Sequence, residues 1–332
     1  GKFSKDGNGL YYTSDESTEF RHLRYYDFKS KKHSIITKNI KWDVRGFTIS
    51  ENGKYIAFVT NEDAISKLYV LKTKDYKSVK IPSLPIGQIS GLKFNPDNNR
   101  LALTLNTPKS PGDIYVVNIK KRMLTQWTES EIGGLNNDQF VVPELVHVNS
   151  FDGLKVSGFL YRPKTKGPHP VIISIHGGPE GQYRPGFSSR FQYWINELNC
   201  AVLATNVRGS AGFGKSFVKM DNGYNREKSV KDIGAFLDMI DKDNNLDNQR
   251  IGVYGGSYGG YMVLASMTHY NDRLSAAVDV VGISNFVTFL RNTKAYRRDL
   301  RRAEYGDERV SEMHDFLPVS YTHLTLPTNR EV

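Results

Sequence analysis

A chain of 332 residues exceeds the usual size of a single domain and leaves room for two, each able to bury a core. Hydrophobic residues make up 39% and charged residues 24%, a globular balance, and no apolar run reaches the length of a membrane span, so no membrane partner is expected. The net charge of +10 raises nucleic acid as a partner, but the densest basic group, Arg297, Arg298, Arg301 and Arg302, is interleaved with Asp299, Glu304, Asp307 and Glu308; this reads as an ion-paired helix face, and no nucleic acid is expected.

Gly1 to Gly7 has neither the shape of a signal peptide nor an initiating Met, and reads as the interior of a longer protein. From there the sequence repeats itself. Phe3-Ser-Lys-Asp-Gly-Asn-Gly-Leu-Tyr-Tyr12 returns as Ile49-Ser-Glu-Asn-Gly-Lys-Tyr-Ile-Ala-Phe58 and as Phe94-Asn-Pro-Asp-Asn-Asn-Arg-Leu-Ala-Leu103, at a period of about 45 residues. An alternating strand follows each copy, at Leu23–Tyr26, Leu68–Leu71 and Ile114–Val117. Short strands, tight Asp/Asn-Gly turns and this period predict about three blades of a β-propeller over 1–132, with an unrelated β-sandwich as the alternative.

A second domain is expected from 133 to 319. Val146–Val148, Asp152-Gly153 and Leu154–Tyr161 read as a hairpin. Buried strands and helices then alternate: Val171–Ile175, a helix around Ser189–Leu198, Ala201–Thr205, a helix around Ser229–Ile240 carrying Val230, Ile233, Leu237 and Ile240 at helical spacing, and Ile251–Tyr254. This is the signature of a mostly parallel α/β sheet. Cys200, the only cysteine, opens an apolar strand; it excludes an internal disulfide, reads as a small buried hydrophobe, and fits a reducing, cytoplasmic setting. No metal-ligand spacing is present, and neither metal nor cofactor is expected.

Gly255-Gly256-Ser257-Tyr258-Gly259 follows one of those strands and precedes the apolar helical run Tyr261–Ala265. That is the setting of a nucleophile elbow, where a sharp turn lifts a Ser side chain clear of the sheet and flanking glycines let the backbone crowd together. Ser257 is the candidate nucleophile, with Gly255 and Gly259 shaping the turn. His176-Gly177-Gly178-Pro179 leaves the first central strand, where α/β-hydrolases place an oxyanion-hole loop. The N–H groups of Gly178 and Tyr258 are the expected oxyanion donors. His176 and Gly177 read as loop-shaping residues, because a general base has to reach Ser257 from the far side of the site.

These two motifs, with Asn206-Val-Arg-Gly-Ser-Ala-Gly-Phe-Gly214 between them, resemble the prolyl oligopeptidase (S9) family, especially its acylaminoacyl peptidase and dipeptidyl peptidase-like branch. The resemblance implies an α/β-hydrolase domain preceded by a β-propeller that limits access to short peptides. It also implies that Arg208 shapes the loop beside the site, and that Val281–Phe286 with Phe289 helps to form a substrate side-chain pocket, Phe286 and Phe289 being its aromatic candidates.

A Ser is a weak nucleophile until a His takes its proton and a carboxylate orients that His. The family places both on later strands, and none can be read after Ser257. Asp279 reads as a structural strand-end residue, and His269 and His314 as surface residues. Tyr321–Val332 has no place in the family pattern and reads as a translated linker, so 320–332 is expected to be a non-native tail and His323 carries no role. The expectation is an S9-type serine peptidase truncated at both ends, with an incomplete α/β-hydrolase domain lacking its C-terminal strands, and inactive as given. Short peptides would be the substrate of an intact parent, which could form homo-oligomers. An esterase or lipase on the same fold and a non-catalytic scaffold are the alternatives.

Overall fold

The computed structural model describes residues 1–317; the tail expected at 320–332, with His323, lies outside the described residues. The chain divides into two compact units. The first comprises Gly1–Pro143, Arg184–Asn196 and Gly212–Ser216, and the second Glu144–Tyr183, Glu197–Ala211 and the described residues from Phe217 onward. The first unit therefore runs past 133, where the sequence placed the boundary. Val141 is buried in that unit, and its N–H donates to Gln192 Oε1 over 2.9 Å.

Three antiparallel sheets make up most of the first unit. They are β1 to β4 (Lys2–Phe3, Gly9–Ser14, His22–Asp27, Lys32–Ile35), β5 to β7 (Asp43–Ile49, Tyr55–Glu62, Ile65–Lys72) and β8 to β11 (Gln88–Phe94, Arg100–Thr107, Ser110–Asn118, Met123–Gln126), each in simple up-and-down order. The repeated turns are built alike. Gly7, Gly53 and Asn98 have φ of 73°, 69° and 62°. Each donates its N–H to the carbonyl three residues back, of Ser4, Ser50 or Asn95. The side chains of those three residues accept the N–H groups of Gly9, Tyr55 and Arg100, which open the following strands. Left-handed backbone favours Gly and, next, Asn, which is why the repeat alternates between them.

Strand periodicity stacks the sheets. On β6, Ile56 and Phe58 join a cluster with Tyr11, Leu23, Val44 and Leu71. The intervening Ala57 and Val59 join a second cluster with Leu101, Leu103, Leu105 and Val117. The middle sheet is thus buried on both faces, as a propeller blade is between its neighbours. The helix expected near Ser189 is present as α1 (Ser189–Asn196). It belongs to this unit, where Gln192 Nε2 donates to the carbonyls of Pro108 and Val141.

The second unit holds a six-stranded sheet built from β12 (Glu144–Asn149), β13 (Lys155–Tyr161), β14 (His169–Ile175), β15 (Ala201–Asn206), β16 (Leu246–Gly256) and β17 (Ala276–Val280). The spatial order is β12-β13-β15-β14-β16-β17, with β12 and β13 antiparallel to their neighbours and the other pairings parallel. After the short α2 (Lys215–Val218), α3 (Arg226–Asp241) buries Val230, Ile233, Phe236, Leu237 and Ile240, and α4 (Tyr258–His269) follows β16 directly. The α5 (Phe286–Asn292), α6 (Ala295–Tyr305) and α7 (Ser311–Phe316) helices come after β17. Strand order reverses at β14, which has β15 on one side and β16 on the other. The connections leaving the C-terminal ends of β14 and β16 therefore diverge, and a crevice opens between them. The protein is an α/β-hydrolase-type sheet that follows propeller-type β-structure in the chain, the fold class read from the sequence.

Candidate active site

Both chemistry-bearing motifs sit at that crevice. β16 ends at Gly256, Ser257 takes φ 56° and ψ −117°, and α4 begins at Tyr258. A positive φ is strained for a residue with a Cβ, and hydrogen bonds on either side hold it. The Ser257 N–H donates to the Val280 carbonyl (2.9 Å), and the Ser257 carbonyl accepts the Tyr261 N–H (3.1 Å). The two flanking glycines are required by space. A Cβ on Gly255 would collide with the Gly259 carbonyl, and one on Gly259 with the Ile175 carbonyl at the end of β14. Ser257 is exposed, and among the described residues its hydroxyl has no hydrogen-bond partner.

The loop after β14 packs directly on this turn. A Cβ on Gly177 would lie 3.0 Å from the Gly256 carbonyl oxygen and 3.6 Å from Ser257 Cβ. Gly178 has φ 130°, and neither its N–H nor that of Tyr258 has an acceptor among the described residues. Neither ring nitrogen of His176 is bonded to Ser257. Its Nε2 lies 2.8 Å from Ser210 Oγ and its Nδ1 2.9 Å from the Gly177 carbonyl. Burial pushes the imidazole down to about 4, against the Gly177 hydrogen bond, so the ring is neutral at pH 7.

Arg208, 3% exposed, anchors the segment beneath. It grips Asp152 through Nη1 (2.8 Å) and Nη2 (2.9 Å) and Asp232 through Nε (3.0 Å) and Nη2 (2.8 Å), and it lies 4.7 Å from the Phe151 ring centre. Those hydrogen bonds hold the Asp152 carboxyl down at about 2. Sequence reasoning missed a second buried pair, Asp221 and Arg226 (2.7 Å). Asp221 Oδ2 also accepts the Tyr258 hydroxyl (2.8 Å). Burial pushes the Asp221 carboxyl up, against the pull of Arg226. Burial likewise opposes the charge of Arg226, but Tyr258 and Asp221 outweigh it and keep the guanidinium protonated. Nothing in the spacing of Asp221 and Arg226 marks them as a buried pair.

A cavity of about 520 Å³ opens beside Ser257, lined by Val281, Ile283, Thr288, Phe289 and Asn292 among others, and none of its lining residues is charged. Of the two aromatic candidates, Phe289 lines it and Phe286 does not. Phe286 is 1% exposed and packs against the rings of Tyr261 (4.9 Å) and Tyr305 (5.1 Å), because it falls on the inner face of α5. Asp279 Oδ1 accepts the Gly282 N–H (2.8 Å) and closes the end of β17. His269 sits at the end of α4 beside Tyr270, and His314 on α7 beside Arg291; neither is bonded to Ser257. Among the described residues no group of His, Cys, Asp or Glu is arranged to hold a metal, and no helix is long and apolar enough to cross a membrane.

Comparison with known proteins gives matches to two family models: the prolyl oligopeptidase family over residues 185–329, and the dipeptidyl peptidase IV N-terminal region over residues 2–112. The uncharacterized peptidase YuxL of Bacillus subtilis (strain 168) is 32% identical over 211 residues, which is 60% of this chain and 31% of YuxL. Dipeptidyl aminopeptidase BIII of Pseudoxanthomonas mexicana is 24% identical over 307 residues, 89% of this chain and 44% of that protein. The chain thus spans less than half the length of either curated relative. Among solved structures, prolyl oligopeptidase B from Galerina marginata aligns with a TM-score of 0.81 at 18% identity, over 95% of this chain and 45% of its own. Puromycin hydrolase aligns with a TM-score of 0.80 at 16% identity, over 96% and 50%. At those identities the structural likeness speaks to fold, and it agrees with what the two family models find in sequence. The chain belongs to the prolyl oligopeptidase (S9) family of serine peptidases.

Proposed function

We propose that this protein cleaves short peptides through an acyl-enzyme on Ser257. The observation that carries this reading is an exposed Ser257 held at φ 56° on the strand-to-helix turn, with the N–H groups of Tyr258, the next residue, and of Gly178, in the loop packed on that turn, both without acceptors among the described residues. Ser257 Oγ attacks the peptide carbonyl carbon and passes its proton to a base. The carbonyl oxygen becomes an oxyanion between the two N–H groups, the amine leaves with a proton, and water releases the acyl group. Gly177, Gly255 and Gly259 allow the close approach, His176 and Arg208 shape the surrounding loops, and Phe289 lines the substrate pocket. Peptide substrates are supported by dipeptidyl aminopeptidase BIII among the relatives and by the propeller-type sheets. The described residues supply the nucleophile and the oxyanion donors but place no imidazole against Ser257, so we infer that they do not turn over without a base supplied from elsewhere.

That missing contact also favours a second reading, a non-catalytic scaffold, and a fluorophosphonate probe separates the two. Slow labelling is expected, because an oxyanion site retains about 10³–10⁴ of rate over water without a full triad. The adduct maps to Ser257 and is lost in Ser257→Ala. An absence of adduct after prolonged exposure overturns the peptidase reading in favour of the scaffold. Hydrolysis of simple acyl esters, with amino-acyl amides untouched once a base is supplied, points to an esterase.

A further inference from the structure

The two N–H groups assigned to the oxyanion come from different elements, Gly178 from the loop after β14 and Tyr258 from the first turn of α4. The pairing of Ile175 with Gly255 and the packing of Gly177 on the elbow bring the two elements together on one side, and their spacing also depends on how they are held behind the site. One buried chain of contacts holds them there. On the α4 side, the Tyr258 hydroxyl lies 2.8 Å from Asp221 Oδ2 and 2.9 Å from Ser229 Oγ, which anchors the far end of the side chain whose own backbone N–H faces the site. Asp221 Oδ2 also takes Arg226 Nη1 at 2.7 Å.

The Arg226 guanidinium then lies between two rings, 5.2 Å from the centre of Tyr258 and 4.7 Å from that of Tyr305. Its Nη2 donates to the Glu304 carbonyl (2.6 Å), which fixes the last turn of α6. From that turn the Tyr305 hydroxyl donates to the Gly178 carbonyl (3.2 Å), and Arg301 Nη1 reaches the same oxygen at 3.4 Å. The Tyr305 ring is itself held by Phe286 and by Phe289 (5.4 Å). Each end of the chain therefore grips the residue that carries one of the two N–H groups, and none of its side chains is hydrogen-bonded to Ser257.

We propose that Tyr305 and Asp221, joined through Arg226, are positioning residues that set the spacing of the Gly178 and Tyr258 N–H groups. The inference rests on the assignment of those groups to the oxyanion. Donors aimed at developing charge act only at the correct distance, so small displacements act on the chemical step more than on binding.

The test is the labelling of the full chain by a fluorophosphonate, with the maximal rate of inactivation and the half-saturating probe concentration measured separately. Tyr305→Phe keeps the ring packing and removes only the hydroxyl. It is expected to slow maximal inactivation by roughly ten-fold, less than the about 10²–10³ that follows loss of a donor outright, with half-saturation within about two-fold. Asp221→Asn is expected to do the same. The double variant is expected to match either single one, because the residues act through one linkage. A wild-type inactivation rate in folded Tyr305→Phe, or an effect confined to half-saturation, overturns the proposal. Should Asp221→Asn fail to fold, Tyr305→Phe decides alone. If the unmodified chain is not labelled at Ser257, the nucleophile reading fails and this inference falls with it, an outcome distinct from equal labelling of wild type and variant.

Discussion

Arg208 meets Asp232 in the interior of the second unit, with Nη2 2.8 Å from Oδ1 and Nε 3.0 Å from Oδ2, and the Arg208 backbone N–H reaches the same carboxylate at 2.8 Å. Asp232 is fully buried on α3 and also accepts the Ser150 hydroxyl, so it ties β15's exit loop and the β12–β13 turn to a single carboxylate. Asp152, on the same guanidinium, is 40% exposed at its side chain. One arginine therefore serves a buried anion and a half-solvated one.

Removing that cation is expected to expose the difference. Arg208→Met leaves the Asp232 charge buried without a counter-ion and costs about 3–5 kcal/mol of stability. Asp152→Asn, which removes the solvated arm, costs under about 1 kcal/mol. Urea unfolding of the two variants checks this, and equal losses would mean that Asp232 is compensated by Ser150 and the backbone alone.

Acid sensitivity is expected in two stages. His176 is held at about 4 in the fold, below its ordinary 6.5, so the unfolded chain takes up its proton first. Stability is full above about 6.5 and falls as pH drops toward about 4, with a slope of up to one proton. Part of His176 remains exposed, which moderates the loss. Asp152, held at about 2 against an ordinary 3.8, contributes stability that is present above about 3.8 and lost as pH falls through about 2. In chemical unfolding followed across pH, His176→Gln is expected to flatten the upper stage and Asp152→Asn the lower. An upper stage unchanged in His176→Gln assigns it to another group.

The glycines at the elbow are expected to differ sharply. A Cβ at Gly256 meets nothing nearer than the Val280 carbonyl oxygen at 3.5 Å and Val280 Cβ at 3.8 Å, so Gly256→Ala is expected to fall within about 0.5 kcal/mol of wild type. A Cβ at Gly255 runs into the Gly259 backbone, so Gly255→Ala is expected to cost about 1–3 kcal/mol and to slow Ser257 labelling as the turn shifts. Thermal unfolding with probe kinetics measures both, and equal behaviour would show that the turn relaxes freely.

What the sequence made legible was local. The repeated turn at Gly7, Gly53 and Asn98 could be read because one backbone conformation selects the same few residues each time it occurs. The elbow could be read because strand period gives way to helix period across Ser257. Partners distant in the chain left no trace. Asp232 lies 24 residues and Asp152 56 residues from Arg208, and the family resemblance implied for Arg208 only a loop to shape. Likewise, α1 read as part of the parallel sheet's helical layer because it falls between two of its strands, yet the burial of Gln192 against Pro108 and Val141 assigns it to the first unit. Chain order does not reveal such an exchange.

Phe286 and Phe289 illustrate the same limit and supply a direct measurement. They lie three residues apart on α5, a spacing that puts them near one another on a helix without saying which faces the core. Phe286 packs on Tyr261 and Tyr305 and is fully buried, whereas Phe289 meets the Tyr305 ring at 5.4 Å and 76° and also lines the cavity beside Ser257. Phe286→Ala is therefore expected to behave as a core truncation, costing about 3–5 kcal/mol. Phe289→Ala is expected to leave most of the stability in place and to raise the half-saturating concentration of a fluorophosphonate bearing a benzyl side chain by roughly ten-fold, the loss of one apolar contact surface. For a probe bearing only an ethyl group, which offers little apolar surface for Phe289 to cover, half-saturation is expected to stay unchanged. If both probes weaken equally in Phe289→Ala, the cavity has collapsed and Phe289 supports its wall; if neither weakens, the substrate side chain goes elsewhere.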